Sequence, residues 1–235
     1  MPSEGTSRAD VPAALAVARR RIEAAGGDPD AVRIVAVTKG FGPDAVLGAL
    51  AAGLRDVGEN YAQELLTKAA ALAETTLGTD ALGARGHGGV RWHFLGAVQR
   101  NKVRALAPLL FCWQGVARAV EGEAIARHCP GASVLVEVEL TGDSSRNGCP
   151  PDEVPGLVAA LRSCDLDVRG LMTVAPAGGG DDARQAFRAC RDLADRLDLP
   201  ERSMGMSDDL ELAVAEGTTM VRLGRALFGD RPPRR

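Results

Sequence analysis

The sequence predicts an α/β protein built as a single closed (β/α)8 barrel, the TIM-barrel form. Eight short apolar runs rich in β-branched residues alternate with helix-like patterns along the chain, and that alternation implies a parallel sheet of barrel size. The first strand-to-helix turn, TKGFGPD, lacks the G-x-G-x-x-G of an open doubly wound sheet. No stretch reads as a linker, so residues 1–235 are expected to form one domain, with frayed tails at 1–9 and 230–235.

In chain order, Asp10–Ala25 reads as a helix, with Asp10 as N-cap, Pro12 in the first turn and Gly26 as stop. Arg33–Lys39 (RIVAVTK) is the first strand, and Pro43–Ala52 is a helix ended by Gly53. Asp56–Asn60 (DVGEN) is a short second strand. A helix follows from about Tyr61 to Ala73, with Leu65, Leu66, Ala69 and Leu72 on one face. The remaining strands are Arg91–Gly96, Leu109–Gly115, Ser133–Leu140, Val168–Ala175, Arg202–Ser207 and Met220–Gly224. Helical patterns lie near 98–107, 117–128, 152–163, 181–197 and 208–216. Gly78–Gly89 and Ala175–Asp182 are Gly-rich and aperiodic, which reads as loop.

Composition narrows the function class. A net charge of −3 argues against a nucleic-acid surface or an anionic-membrane binder. No apolar run reaches the length of a transmembrane helix, and MPSEGTSRAD lacks the apolar core of a secretion signal. Five scattered cysteines with no C-x-x-C suit neither a zinc knuckle nor a disulfide framework, and they fit a reducing cytoplasm.

The basic residues are more telling. Of 28, only Lys39, Lys68 and Lys102 are lysine; the rest are arginine. Guanidinium stays protonated, whereas a desolvated lysine amine can attack a carbonyl. Lys68 and Lys102 fall in helical patterns, the ordinary solvated place. Lys39 ends the first strand, and the C-terminal ends of barrel strands are where active sites lie.

The usual phosphate site of a barrel follows strands seven and eight. There the chain reads Met204-Gly-Met-Ser-Asp-Asp209 and Val221-Arg-Leu-Gly-Arg-Ala226. Gly205 and Gly224 permit close backbone approach, and Ser207 offers a hydroxyl. Ser207 reads equally as a plain helix N-cap, with Asp208 and Glu211 as a capping box. Asp208 and Asp209 disfavour an anion on the helix end itself, so the anion is expected at Ser207 and the Gly224 backbone. An amine beside an anion nest suits an aldehyde bearing a phosphate, for which pyridoxal 5′-phosphate (PLP) is the natural ligand.

Arg222 is placed either to face the pyridine nitrogen or to serve as a salt-bridged barrel arginine. Asn60 is either a ligand contact or turn chemistry. His93 reads as a hydrogen-bonded barrel histidine rather than a base, His87 and His128 as surface, and Trp92 and Trp113 as packing. Nothing has the spacing of a metal site.

In order along the chain stand Val35-Ala-Val-Thr-Lys39, Gly58-Glu-Asn-Tyr61, Trp92-His-Phe-Leu-Gly96 with Gln99-x-Asn-Lys102, Gly170-Leu-Met172, Met204-Gly-Met-Ser-Asp-Asp209, and Met220-Val-Arg-Leu-Gly224 with Leu227-Phe-Gly229. From about residue 10 to 229 the chain resembles the pyridoxal phosphate homeostasis proteins, relatives of the N-terminal barrel of alanine racemase. The resemblance implies a fold-type-III-like barrel carrying PLP as an aldimine on Lys39. Arg222 would then face the ring nitrogen, Asn60 would lie near the ring, and Ser207 and Gly224 would hold the phosphate. Arg225 falls in the same cofactor-binding stretch, where the family pattern has Thr. Thr38 replaces the usual Ser and keeps its hydroxyl, and Arg146 replaces a Lys.

The function implied is a non-catalytic PLP carrier or regulator that maintains intracellular PLP homeostasis, with PLP-dependent apoenzymes as transient recipients. The alternative is a racemase-like PLP enzyme. Racemisation in the related fold draws a tyrosine base from an additional β domain; this chain has one tyrosine, Tyr61, and no such domain is expected. The chain is expected to be a cytoplasmic monomer.

Overall fold

A computed structural model describes residues 10–73, 89–143 and 145–231. The elements are α1 (Val11–Ala24), β1 (Arg33–Val37), α2 (Pro43–Ala51), β2 (Asp56–Glu59), α3 (Ala62–Ala73), β3 (Arg91–Phe94), α4 (Arg100–Leu106), β4 (Leu110–Val116), α5 (Ala119–His128), β5 (Ser133–Glu137), α6 (Val154–Ser163), β6 (Asp167–Met172), α7 (Gly180–Arg196), β7 (Glu201–Ser203), α8 (Leu210–Ala215), β8 (Met220–Leu223) and α9 (Arg225–Phe228). The strands close in sequence order, β1 to β8, each parallel to its neighbours. Four residue pairs from Arg33↔Met220 to Ala36↔Leu223 seal the barrel.

Local chemistry starts and stops the elements as expected. Asp10 accepts a hydrogen bond from the Ala13 N–H, capping α1. That helix buries Val11, Leu15, Ala18 and Ile22, one stripe at helical spacing. The chain then turns through Gly26 at φ +87°, a left-handed conformation that glycine adopts without strain. Along the strands the period-two alternation sends Ile34, Ala36, Trp92, Phe94, Trp113, Val134 and Leu171 into the layer between sheet and helices. The alternate residues, among them Asp56, His93, Gln114, Glu137 and Arg222, face the barrel interior.

Three expectations need adjusting. Several strands are shorter at their C-terminal ends than the apolar runs suggest, with β1 ending at Val37 and β5 at Glu137. Lys39 is therefore not the last residue of a strand but lies in the turn two residues beyond. A short helix, α9, follows β8. The loop expected at 78–89 falls, except for Gly89, outside the described residues, as do His87 and the tails 1–9 and 232–235. The Ala175–Asp182 loop ends at Gly179, the N-cap of α7, which begins at Gly180.

Candidate functional site

Lys39, Asn60, Ser207, Arg222 and Gly224 all stand at the C-terminal rim of the barrel, on or just beyond β1, β2, β7 and β8. Gly224 closes against β1, since a Cβ there would lie 3.3 Å from the Val37 carbonyl oxygen. Lys39 is half-buried, and among the described residues no hydrogen bond or ion pair engages its amine. Burial holds its pKa below the ordinary lysine value, assisted by the charges of Arg231 and Arg222 and opposed by Glu59 and Glu64.

The turn carrying Lys39 is gripped from α3. The Lys68 ammonium donates to the Thr38 carbonyl at 2.7 Å and to Glu59 Oε1 at 2.5 Å. The Thr38 hydroxyl donates to the same carboxylate oxygen at 2.5 Å. The Gly40 N–H donates to Glu64 at 2.8 Å. Lys68 and Glu59 are buried, so the expectation that Lys68 is solvated is corrected. Leu65, Lys68, Ala69 and Leu72 fall at i, i+3, i+4 and i+7, and that spacing marks Lys68 as part of the buried face.

Arg222 is buried on the inner face of β8 with no carboxylate in ion-pair range among the described residues. It donates instead to the Ser203 carbonyl at 2.6 Å, to Ser203 Oγ at 2.9 Å and to the Thr173 carbonyl at 2.8 Å. The salt-bridged reading of this arginine does not hold. Asn60 places a buried Oδ1 that has no partner among the described residues. Its carbonyl abuts Gly96, where any side chain would collide with it.

Ser207 does not cap α8, whose N-cap is Asp209. Its hydroxyl accepts from the Ala226 N–H at 3.0 Å, tying the loop after β7 to the turn after β8. From outside, Arg21 donates to the Ser207 carbonyl at 2.9 Å, and it takes Glu211, the expected capping-box partner, as its own ion pair. The Arg225 guanidinium lies exposed on the rim, paired with Asp208. That pairing offsets one of the two carboxylates that disfavour an anion here. The Asp209 carboxylate accepts from the Met206 N–H.

Sequence reasoning missed Glu137. Half-buried at the end of β5, it accepts from Asn147 Nδ2. Burial pushes its carboxyl up to about 7, against the pull of the Asn147 hydrogen bond and the Arg222 charge. The inward position in the alternation Ser133, Leu135, Glu137 is the signal that finds it. His93 is buried and hydrogen-bonded as expected, and Trp92 and Trp113 are core. Among the described residues no three His, Cys, Asp or Glu are grouped to hold a metal ion, and no helix is long and apolar enough to cross a membrane. None of the five cysteines takes part in a disulfide among the described residues.

The family described as alanine racemase, N-terminal domain, matches residues 13–232. The pyridoxal phosphate homeostasis protein of Pseudomonas aeruginosa is 40% identical over 222 residues, covering 91% of this chain and 90% of that one. Its Deinococcus radiodurans counterpart is 38% identical, covering 93% and 99%. PipY of Synechococcus elongatus, solved with PLP bound, superposes with a TM-score of 0.76 at 30% identity, covering 90% of this chain and 100% of that one. Alanine racemase of Corynebacterium glutamicum, at 19% identity and a TM-score of 0.63 over 92% of this chain and 60% of that one, shares the fold.

Two outcomes follow from the geometry. Lys68→Met strands the Glu59 carboxylate in the interior and is expected to destabilise the chain by about 3–5 kcal/mol. Adding Glu59→Gln should restore part of that loss, as read from urea midpoints. Glu137 titrates near 7 in the folded chain and near 4.5 when unfolded, so the folded state binds the extra proton and loses stability as pH rises through that window. Glu137→Gln should therefore raise Tm relative to wild type at pH 8 and leave it nearly unchanged at pH 5.

Proposed function

The chain belongs to the alanine racemase N-terminal domain family, and within it to the pyridoxal phosphate homeostasis proteins, and from that premise we propose that it carries PLP covalently on Lys39. One observation carries the proposal: a lysine amine that is unengaged among the described residues, its pKa lowered by burial, shares the barrel mouth with a buried arginine that has no carboxylate partner among them. The residues present fit the group. Arg222 keeps donors available for the ring nitrogen, the orphaned Asn60 Oδ1 offers an acceptor beside it, and Ser207 with the Gly224–Arg225 backbone receives the phosphate. The N–H groups of Gly224 and Arg225 have no acceptor among the described residues, as at any first helical turn. When bound, the cofactor supplies an aldehyde that condenses with a primary amine and a ring that withdraws electrons.

We read residues 1–235 as one cofactor-binding barrel acting as a monomeric cytoplasmic carrier or regulator, with PLP-dependent apoenzymes as transient recipients. The non-catalytic reading rests on Arg222. A guanidinium donating to the pyridine nitrogen leaves that nitrogen unprotonated, and the ring is then a poorer electron sink. Glu137 favours the racemase-like alternative, because a carboxyl titrating near neutrality in the mouth is a serviceable base.

Borohydride reduction followed by peptide mapping should place the pyridoxyl group on the Lys39 peptide, and Lys39→Ala should abolish it. A label retained on Lys68 or Lys102 in that variant overturns the assignment. Loaded protein incubated with each L-amino acid should show turnover far below the roughly 10 s⁻¹ typical of enzymes. Enantiomer, keto-acid or amine formation at that rate, lost in Glu137→Gln, establishes the racemase-like reading instead.

A further inference from the structure

The interior of this barrel departs from the stacked apolar layers usual in the fold. Polar side chains from five strands join end to end, each no more than 5% exposed. Arg222 on β8 donates to Ser203 Oγ at 2.9 Å, and Ser203 on β7 donates to Gln114 Oε1 at 2.7 Å. Gln114 on β4 sets its amide nitrogen 2.8 Å from His93 Nδ1 and 3.1 Å from Met220 Sδ. His93 on β3 sets Nε2 2.8 Å from Asp56 Oδ1 on β2, and Arg91 holds the other Asp56 oxygen.

Donor chemistry gives this chain one direction. An amide nitrogen only donates, so His93 Nδ1 accepts and the ring proton sits on Nε2, where Asp56 receives it. With its nitrogen turned to His93, Gln114 presents oxygen to Ser203. The Ser203 hydroxyl proton then points at Gln114 and leaves an Oγ lone pair for Arg222. A rotated amide would require the His93 proton on Nδ1, turning the Nε2 lone pair against the Asp56 carboxylate, would set oxygen against the Met220 sulfur, and would take away the acceptor of the Ser203 hydroxyl proton. Each link thus dictates the next, and a half-satisfied version would be costly in a dry interior. At the far end the chain fixes which edge of the Arg222 guanidinium is held by Ser203 and Thr173, and so which donors remain for a ligand.

We propose that Gln114 and Ser203, backed by His93 and Asp56, are positioning residues that hold the Arg222 guanidinium plane against the cofactor ring. This rests on the reading of Arg222 as the ring-facing residue. None of the four needs to touch the cofactor; they act through Arg222 alone.

A double-mutant cycle on the full-length chain tests this, with PLP titrated by absorbance and the melting temperature of the unloaded protein followed alongside. Gln114→Met preserves side-chain length while removing both links. It is expected to weaken PLP binding about tenfold and to shift the absorption band of the bound cofactor. Ser203→Ala, the smaller change, should do the same if Gln114→Met fails to fold. In an Arg222→Gln background neither substitution should weaken binding further, because the group they position is gone. Equal losses in both backgrounds, or a lowered melting temperature with affinity and spectrum unchanged, would overturn the proposal while leaving the ring-facing reading intact. Unaltered binding and spectrum in Arg222→Gln alone would overturn that reading and the proposal with it.

Discussion

A guanidinium buried at the centre of a parallel barrel cannot be left unsatisfied, and much of this molecule is arranged around that requirement. Arg222 finds no carboxylate within reach among the described residues. Its partners are the main-chain carbonyls of Thr173 and Ser203, where β6 and β7 stop, and the Ser203 hydroxyl. The Ser203 carbonyl also accepts from the Thr173 N–H at 3.1 Å, so one oxygen ties β6 to β7 and anchors the arginine. Neutral oxygens orient the cation without cancelling its charge, and the mouth keeps a positive centre in a low-dielectric setting.

The barrel itself was legible in the sequence because each element is locally consistent with it: strands of β-branched residues, an N-capped first helix, and glycines where the chain reverses. The strand ends were not. Apolar, β-branched runs such as VLVEVEL continue beyond the last ladder pair, since the same residues that suit a strand also suit a buried rim. The scarcity of lysine in an arginine-rich chain singles out Lys39 whether its strand ends at Val37 or two residues later.

The remaining site residues were hidden by reading each element alone. Lysines on helices usually face solvent, but the spacing of Lys68 from Leu65 and Leu72 puts it on the buried face. Its partners, Glu59 and the Thr38 carbonyl, come from the ends of two different strands, and the pairing of β1 with β2 brings them together. The same holds for Gln114 and His93, which sit at inward positions of β4 and β3. Their polarity reads locally as a fault in an apolar strand; it makes sense once β7 and β8 supply Ser203 and Arg222. Ser207 was ambiguous for the opposite reason. Its sequence context is that of a helix cap, whereas its hydrogen bond runs across the fold to Ala226.

The charges of the mouth connect these arrangements to the chemistry. Arg222 and Arg231 both press the Lys39 amine toward its neutral form, while Glu59 and Glu64 oppose them. Glu59 is held at short range by Lys68 and Thr38, and Glu64 by the Gly40 N–H, so the carboxylates that favour a protonated Lys39 are committed elsewhere. Burial is the larger cause of the lowered Lys39 pKa, and the positive charges that add to it would also draw an anion to the mouth. A phosphate seated at Ser207 and Gly224 would offset those charges. It would therefore weaken the smaller, charge-based part of what lowers the Lys39 pKa and leave the burial in place.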